Sequence, residues 1–431
     1  MNAVVIAVAV MLLLALLRVH VVIALFIGAL VGGLMAGMGL EATMLGAFAM
    51  AVAASGLPKA LADAMIRKLD ADADGAPAKV ITATRYVLLA GILAMSIMSQ
   101  NIIPVHIAFI PLLVPPLLTV MNRLQLDRRL IACILTFGLV TTYMTLPVGF
   151  GKIFLEDILL SNIDRAGMDT SGINIVQAMA IPALGMVLGL LVAVFISYRK
   201  PRVYDDRPIL GGTTIEPTPT RYNLSMALVA IVATFAIQLI VQFSGSEADG
   251  LLLGSLVGLG IFLISGVVPW TKADDVFTSG MRMMALIGFV MISAQGFAAV
   301  INETNHVEPL VAAVQSFFGD NKAMAALAML LVGLVVTMGI GSSFSTLPII
   351  AAFYVPLCMS LDFSTLATVA LIGTAGALGD AGSPASDSTL GSTTGLAADG
   401  QHDHIRDTVI PTFIHYNIPL TGAGWVAAMV L

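Results

Sequence analysis

Apolar residues run along this chain in long blocks, not in the two-residue alternation of a half-buried strand or the narrow stripe of a surface helix. A helix that crosses about 30 Å of hydrocarbon at 1.5 Å per residue needs about 20 mostly apolar residues. Ten runs of roughly that length lie between charges: 3–17, 20–39, 42–60, 130–160, 175–197, 224–243, 251–268, 277–301, 364–398 and 408–430. Two more, 80–122 and 323–361, are too long for one crossing and are interrupted midway by polar residues and proline. They predict re-entrant hairpins that return to the side they left. The first run has no basic flank before it and no small-residue cleavage site after it, so it reads as a span and not as a signal peptide. The pattern therefore predicts an all-α polytopic membrane protein.

Composition narrows the function classes. Of 431 residues, 58% are hydrophobic and 11% charged, against about 25% charged in soluble proteins. The longest polar stretch, 198–223, is too short to build a core of its own. A net charge of −6 leaves no basic face, which excludes a nucleic-acid partner and leaves lipid and a small solute. Cys133 and Cys358 both lie in apolar runs and read as small buried hydrophobes.

Lysine and arginine on short loops stay on the cytoplasmic side of a membrane. Threading the ten spans, with both hairpins returning, puts 17 of the 20 basic residues on one side, Arg165 and Lys322 on the other, and Lys152 within a span. This predicts an inner-membrane protein with both termini outside the cytoplasm.

The two halves of the chain resemble each other. Gly28-Ala-Leu-Val-Gly32 recurs as Gly254-Ser-Leu-Val-Gly258, and the hairpin from Gly91 corresponds to the one from Gly333. After each hairpin comes a run broken by a Gly/Pro-rich polar tip, YMTLPVGFGK around Pro147 and GDAGSPASDST around Pro384. Five spans and one hairpin per half make the second copy enter from the opposite face. The domain organisation is then a first inverted repeat at 1–200, with its hairpin at 80–122 and broken helix at 130–160, and a linker at 201–223. A second repeat follows at 224–431, with its hairpin at 323–361 and broken helix at 364–398. Inverted repeats with broken helices in corresponding positions point to a secondary transporter with its site near the midplane. Unwound backbone at membrane depth survives only where protein or a ligand satisfies it.

Asp380 and Asp387 are the acidic residues placed in the middle of a predicted span, flanking Gly382-Ser383-Pro384. An intramembrane carboxylate marks a functional site by default, and oxygen-rich groups there suit sodium or a proton. Asp387 could equally act as a helix cap, beside Ser386, Ser388 and Thr389. Lys152, in the facing break, either stands in for a second cation or pairs with Glu156 one turn on. The hairpin tips offer Ser99, Gln100, Asn101 and His106 on one side, and Ser342, Ser343, Ser345 and Thr346 on the other; Thr141, Thr142, Thr145 and Gly149 line the facing break. These are candidate solute ligands. The run Gln401-His402-Asp403-His404 suggests zinc but lacks a spaced third ligand, so it reads as a loop. His415 and Asn417 face either the cavity or another helix.

GDAGSPASDST, followed by GLAADGQHDHIRDT and IHYNIP, resembles the NhaC-type sodium/proton antiporter family, closest to its amino-acid, or histidine, permease branch. The resemblance covers essentially the whole chain. It implies the ion-transporter superfamily fold, an elevator-like motion and a homodimer. It assigns Asp380, Ser383 and Asp387 to cation or substrate binding, while Lys152 departs from the usual small or apolar residue at its position. The sequence expectation is a transporter that couples sodium or a proton to movement of a small solute, an amino acid first and plain sodium/proton exchange second. No cofactor beyond the coupling ion is called for. An intramembrane enzyme would need a nucleophile beside a base, and a channel would need rings of acids or carbonyls. Neither constellation stands out.

Overall fold

The computed structural model describes residues 51, 55, 78–101, 109–207, 220–244, 250–273 and 321–431. The predicted spans 3–17, 20–39 and 277–301, most of 42–60, and His106 lie outside the described residues. Among the described residues the structure is helical, with no strand. Three helices there are long and apolar enough to cross a membrane, Ile175–Ser197, Arg221–Val241 and Ser343–Ser360, and four shorter apolar helices accompany them.

The chain divides into two compact units, Met1–Asp63 with Leu210–Leu286, and Ala64–Ile209 with Ile287–Leu431. In the first unit, Arg221–Phe243 and Gly250–Ile264 pack against each other as a pair. Gly254 permits the close approach, because a Cβ there would stand 2.5 Å from the Thr234 carbonyl oxygen.

The second unit holds ten helices among its described residues. They are α1 (Ala78–Asn101), α2 (Phe109–Arg123) and α3 (Arg128–Tyr143), then α4, which runs through Phe150–Lys152, Ile153–Leu160 and Ser161–Arg165. Next come α5 (Ile175–Val192, continued by Ala193–Ser197), α6 (Lys322–Ile340), α7 (Ser343–Ser360), α8 (Thr365–Ala377) and α9 (Asp387–Leu396). The last, α10, passes through His404–Val409, Ile410–Thr412, Phe413–Asn417 and Ile418–Val430. Several helix starts are written locally. Asp127, Asn174, Asn321 and Ser364 each cap a helix by accepting a backbone N–H two or three residues on.

Two segments form the centre. Every residue of α3 except Arg129 is buried, and so is all of α8 from Ala367 onward. Helices α5, α6, α7 and α10 surround α8. The α5–α10 contact depends on glycine, since a Cβ on Gly189 would stand 1.7 Å from the His415 carbonyl oxygen and one on Gly185 2.9 Å from that of Pro419. This pair of glycines, four residues apart on α5, serves a contact inside one chain. Outward, Leu184, Leu188, Phe195 and Ile196 of α5 are 54–68% exposed, an apolar face suited to lipid.

Both central helices end in non-helical chain. After Tyr143 the path leaves the helix until Phe150, turning at Gly149 (φ +59°). After Ala377 it leaves the helix until Asp387, turning at Gly379 (φ +89°).

Candidate functional site: the 378–386 loop and its cavity

The loop between α8 and α9 keeps turn-type backbone bonds, from the Asp380 N–H to Ala377, the Gly382 N–H to Gly379 and the Ser386 N–H to Ser383, and side chains add to them. Asn417 of α10 accepts from the Gly379 N–H at 3.3 Å. Ser386 and Ser388 both donate to the Asp380 carbonyl at 2.7 Å, Thr389 donates to the Ser383 carbonyl at 2.5 Å, and His404 Nε2 donates to the Pro384 carbonyl at 2.8 Å. Buried backbone groups are thus paired, as a low-dielectric setting requires.

This scaffold holds the Asp380 carboxylate, only 8% exposed, at the meeting point of α3, α7 and α9. Its Oδ2 accepts from the Tyr143 hydroxyl and, at 2.9 Å, from Ser343 Oγ; those two hydroxyls lie 2.8 Å apart. Its Oδ1 has only Ser388 Oγ, at 3.4 Å. The carboxylate borders a cavity of about 30 Å³ together with Asp387, Ser342 and Ser388. That volume admits a water or a bare ion.

Two helix starts face the same cavity. α7 begins at Ser343 and α9 at Asp387, and neither N-cap side chain, Ser342 or Ser386, caps its helix. Asp387 occupies the first helical position and accepts no hydrogen bond among the described residues. Among the described residues no basic side chain borders the cavity. Two carboxylates there meet partial positive charge from the helix starts and hydroxyl oxygens, an arrangement that leaves room for one small cation. An aromatic wall closes one side: Tyr143 stacks edge-on against Phe154 at 4.7 Å between centroids, and Phe344 lies 4.6 Å from Phe150 and 5.5 Å from Phe154.

Of the residues singled out from sequence, Asp380, Asp387, Ser342, Ser343 and Ser388 come together here. Others are engaged elsewhere. Ser383 Oγ donates to the Met338 carbonyl at 3.1 Å and accepts from the Ala385 N–H at 3.0 Å. Thr142 donates back to the Gly138 carbonyl, and Thr346 to that of Ser342 at 2.8 Å. Ser345 and Lys152 are exposed, and Lys152 makes no ion pair with Glu156. Thr141 is buried and Thr145 half-buried, both with hydroxyls that have no partner among the described residues, and Gly149 turns the chain. Ser99 donates to the Ser96 carbonyl at 2.8 Å. Gln100 and Asn101 end α1, and their side chains lie outside the described residues. His415 bonds Pro411 and Ser197 on the far side of α10.

Sequence reasoning passed over Tyr143, the strongest partner of Asp380, although it opens the YMTLPVGFGK tip. In the sequence Arg128 is one basic residue among those that set the orientation. Arg128 is fully buried and forms a two-pronged pair with Asp399, each prong 2.6 Å, while donating to the Leu396 carbonyl at the end of α9. Tyr204 covers its guanidinium at 4.3 Å, and Arg202 bridges Asp407 at 2.9 Å. The 198–207 segment thereby fastens the start of α3 to the end of α9.

A profile of the family described as the Na+/H+ antiporter family matches residues 134–425, and a second, described as the Na+-H+ antiporter family, matches residues 2–45. The chain belongs to the Na+/H+ antiporter family. A membrane protein of Vibrio parahaemolyticus with no assigned function is 51% identical over the full length of both chains. A Bacillus subtilis protein carrying the name "Putative amino acid transporter YuiF" is 50% identical, again over the full length of both. Among solved structures, the Alcanivorax borkumensis YdaH transporter aligns over 100% of this chain and 98% of its own at 15% identity, with a TM-score of 0.43. Membership of this family makes the protein a membrane-embedded secondary transporter that uses sodium or a proton, and the family points away from an enzyme.

Proposed function

We propose that this antiporter-family protein binds its coupling cation between Asp380 and Asp387 and uses it to move a small solute, an amino acid, across the membrane. The observation that carries this reading is the pair of carboxylates at one loop with no basic side chain beside them among the described residues. Such a pair is costly to hold in a membrane unless a cation or proton offsets it. Tyr143 and Ser343 hold Asp380 through Oδ2, while its Oδ1, with only the 3.4 Å contact from Ser388 among the described residues, and the carboxylate of Asp387 are left for the ion. The uncapped starts of α7 and α9 offer N–H groups to a solute carboxylate. The aromatic wall offers ring faces to a solute ammonium group.

Support for an inverted repeat comes from the way each compact unit draws one segment from either half of the chain, and from helices α3 and α8, which both give way to Gly/Pro-bearing loops. The solute class rests on the name of the Bacillus relative. One observation favours plain sodium/proton exchange instead: the cavity has the volume of an ion, so an organic solute requires an opened state.

The test is uptake of radiolabelled amino acids into proteoliposomes under imposed sodium or proton gradients, with wild type, Asp380→Asn and Asp387→Asn compared. Gradient-driven uptake that both variants lose supports the proposal. No accumulation, with an internal pH dye that answers added sodium only in wild type, refutes the organic solute and leaves the exchanger.

A further inference from the structure

Away from the cavity, a second polar chain runs through the interior beside α9. His404 Nδ1 lies 2.7 Å from Thr393 Oγ1, which lies 3.0 Å from Thr408 Oγ1, which lies 2.6 Å from His402 Nε2. At its near end His404 Nε2 reaches the Pro384 carbonyl, so that nitrogen carries a hydrogen in every protonation state. At its far end His402 is 7% exposed, and its Nδ1 is buried with no partner among the described residues. Thr393 and Thr408 are likewise buried, whereas His404 is half-buried. Each threonine hydroxyl has a single hydrogen, so the chain points one way or the other as a unit whenever Thr393 does not donate to the Thr389 carbonyl instead. With Thr393 donating to Thr408, Thr408 donates to His402 and His404 donates from both ring nitrogens, which makes it the imidazolium.

We propose that His404, Thr393, Thr408 and His402 form a proton-binding relay, distinct from the Asp380 cavity, that carries one proton from a partly exposed imidazole to a buried one and thereby tunes the hold on the Pro384 carbonyl. In the transfer, the His404 Nδ1 proton passes to Thr393 Oγ1, the Thr393 proton to Thr408 Oγ1, and the Thr408 proton to His402 Nε2. His404 is left neutral with its Nε2 proton, and His402 becomes the cation. No oxidant or co-reactant is needed. The bond to Pro384 is charge-assisted only while the proton is on His404, and such bonds are roughly twice as strong as neutral ones. When the chain is idle, the Thr393 hydrogen has a second acceptor in the Thr389 carbonyl at 2.8 Å.

The charged groups facing His402 are Asp407 and Asp127, which favour its protonation, and Arg128 and Arg202, which oppose it. Burial and the arginines push it down to about 4, so at neutral pH it is the uncharged end. Beside His404 stand Asp403 and Arg406 in sequence, with the Asp403 carboxylate accepting the Arg406 N–H at 2.7 Å. The relay deepens the transporter reading by giving the proton a seat next to the loop that carries Asp380. It depends on that reading only for its effect on transport.

The direct test is pH titration of the ring signals of the six histidines by NMR on the full chain in micelles, assigned with His→Gln variants. The expected result is that His402 and His404 titrate as a linked pair. Thr393→Val should separate them and move both midpoints, and Thr393→Ser should restore the linkage. Independent titration in wild type, or midpoints that Thr393→Val leaves in place, overturns the relay. In proteoliposomes Thr393→Val should flatten a rate that otherwise changes up to tenfold per pH unit, and His404→Gln should flatten it while still able to donate to Pro384. An unchanged pH profile in both variants also overturns it. A wild type that transports nothing removes the transport reading and leaves the titration result standing.

Discussion

Removing Asp399 should unseat the end of α9. The Arg128 side chain is 0% exposed and that of Asp399 2%, with both guanidinium nitrogens 2.6 Å from carboxylate oxygens. Truncating one member of a buried ion pair strands the other charge and typically costs about 3–5 kcal/mol. Arg128 also donates to Leu396 and Asn122, so Asp399→Ala leaves it two neutral acceptors and falls in the lower part of that range. Arg128→Met leaves Asp399 only Gln401 and falls in the upper part. The combined Arg128→Met, Asp399→Ala protein removes both charges and should be more stable than the sum of the two single effects allows, with a coupling of at least ~2 kcal/mol. Denaturant unfolding in detergent micelles, followed through the whole cycle, measures this. If Asp399→Ala stays within ~1 kcal/mol of wild type, or if the two single effects simply add, the pair is not the buried clasp described here.

Acid should spare the same clasp until low pH. Burial alone would raise the Asp399 pKa, but the hydrogen bonds and charge of Arg128, with help from Gln401, hold it below the ordinary carboxylate range. A depressed folded pKa gives stability that is complete above the unfolded value and is lost as pH falls through the lower folded one. The stability that the clasp gives wild type should therefore be lost only below the ordinary carboxylate range, whereas the Arg128→Met penalty should begin to shrink above that range, because burial without the arginine raises the Asp399 pKa; unfolding of both proteins at stepped pH would show this. Tyr143→Phe removes a hydrogen bond to a carboxylate, about 1.5–3 kcal/mol, and should raise the half-saturating sodium concentration roughly tenfold or more; an unchanged value separates Tyr143 from ion binding. Gly189→Ala should lower stability by more than ~1–3 kcal/mol, because its Cβ would overlap the His415 carbonyl with only backbone to give way. Lys152→Met should leave the transport rate and sodium dependence as they are, since the ammonium is exposed and away from the cavity; a lost sodium dependence would restore its role as a cation surrogate.

What could be read from the chain in advance follows from which forces are local. The Gly/Pro-rich tips around Pro147 and Pro384 stand out in the sequence because glycine and proline impose backbone geometry by themselves, and helices end nearby, at Tyr143 and at Ala377, the latter three residues earlier than the expected stop after Asp380. Asp380 and Asp387, the proposed ion ligands, stand out in the sequence because a carboxylate amid apolar residues needs a reason to be there. Hydroxyls do not. Thr142 and Thr346 bond back to the carbonyl four residues earlier, whereas Ser343 on the same kind of helix turns to Asp380. A side chain that can satisfy itself within its own turn carries no sequence mark of whether it does. Tyr143 was hidden for a related reason: its ring belongs to the apolar block, and only its oxygen belongs to the site. Arg128 and Asp399 were hidden by distance along the chain.

That distance bears on biosynthesis. Asp399 is made 271 residues after Arg128, a delay of roughly 15–55 s at ribosomal rates of about 5–20 residues per second. Through that interval the guanidinium has no carboxylate to receive it and must stay where water reaches it. α3 is therefore translated early and seated late, and the Asp380 pocket, whose walls come from both ends of the unit, takes shape as one of the last events of synthesis.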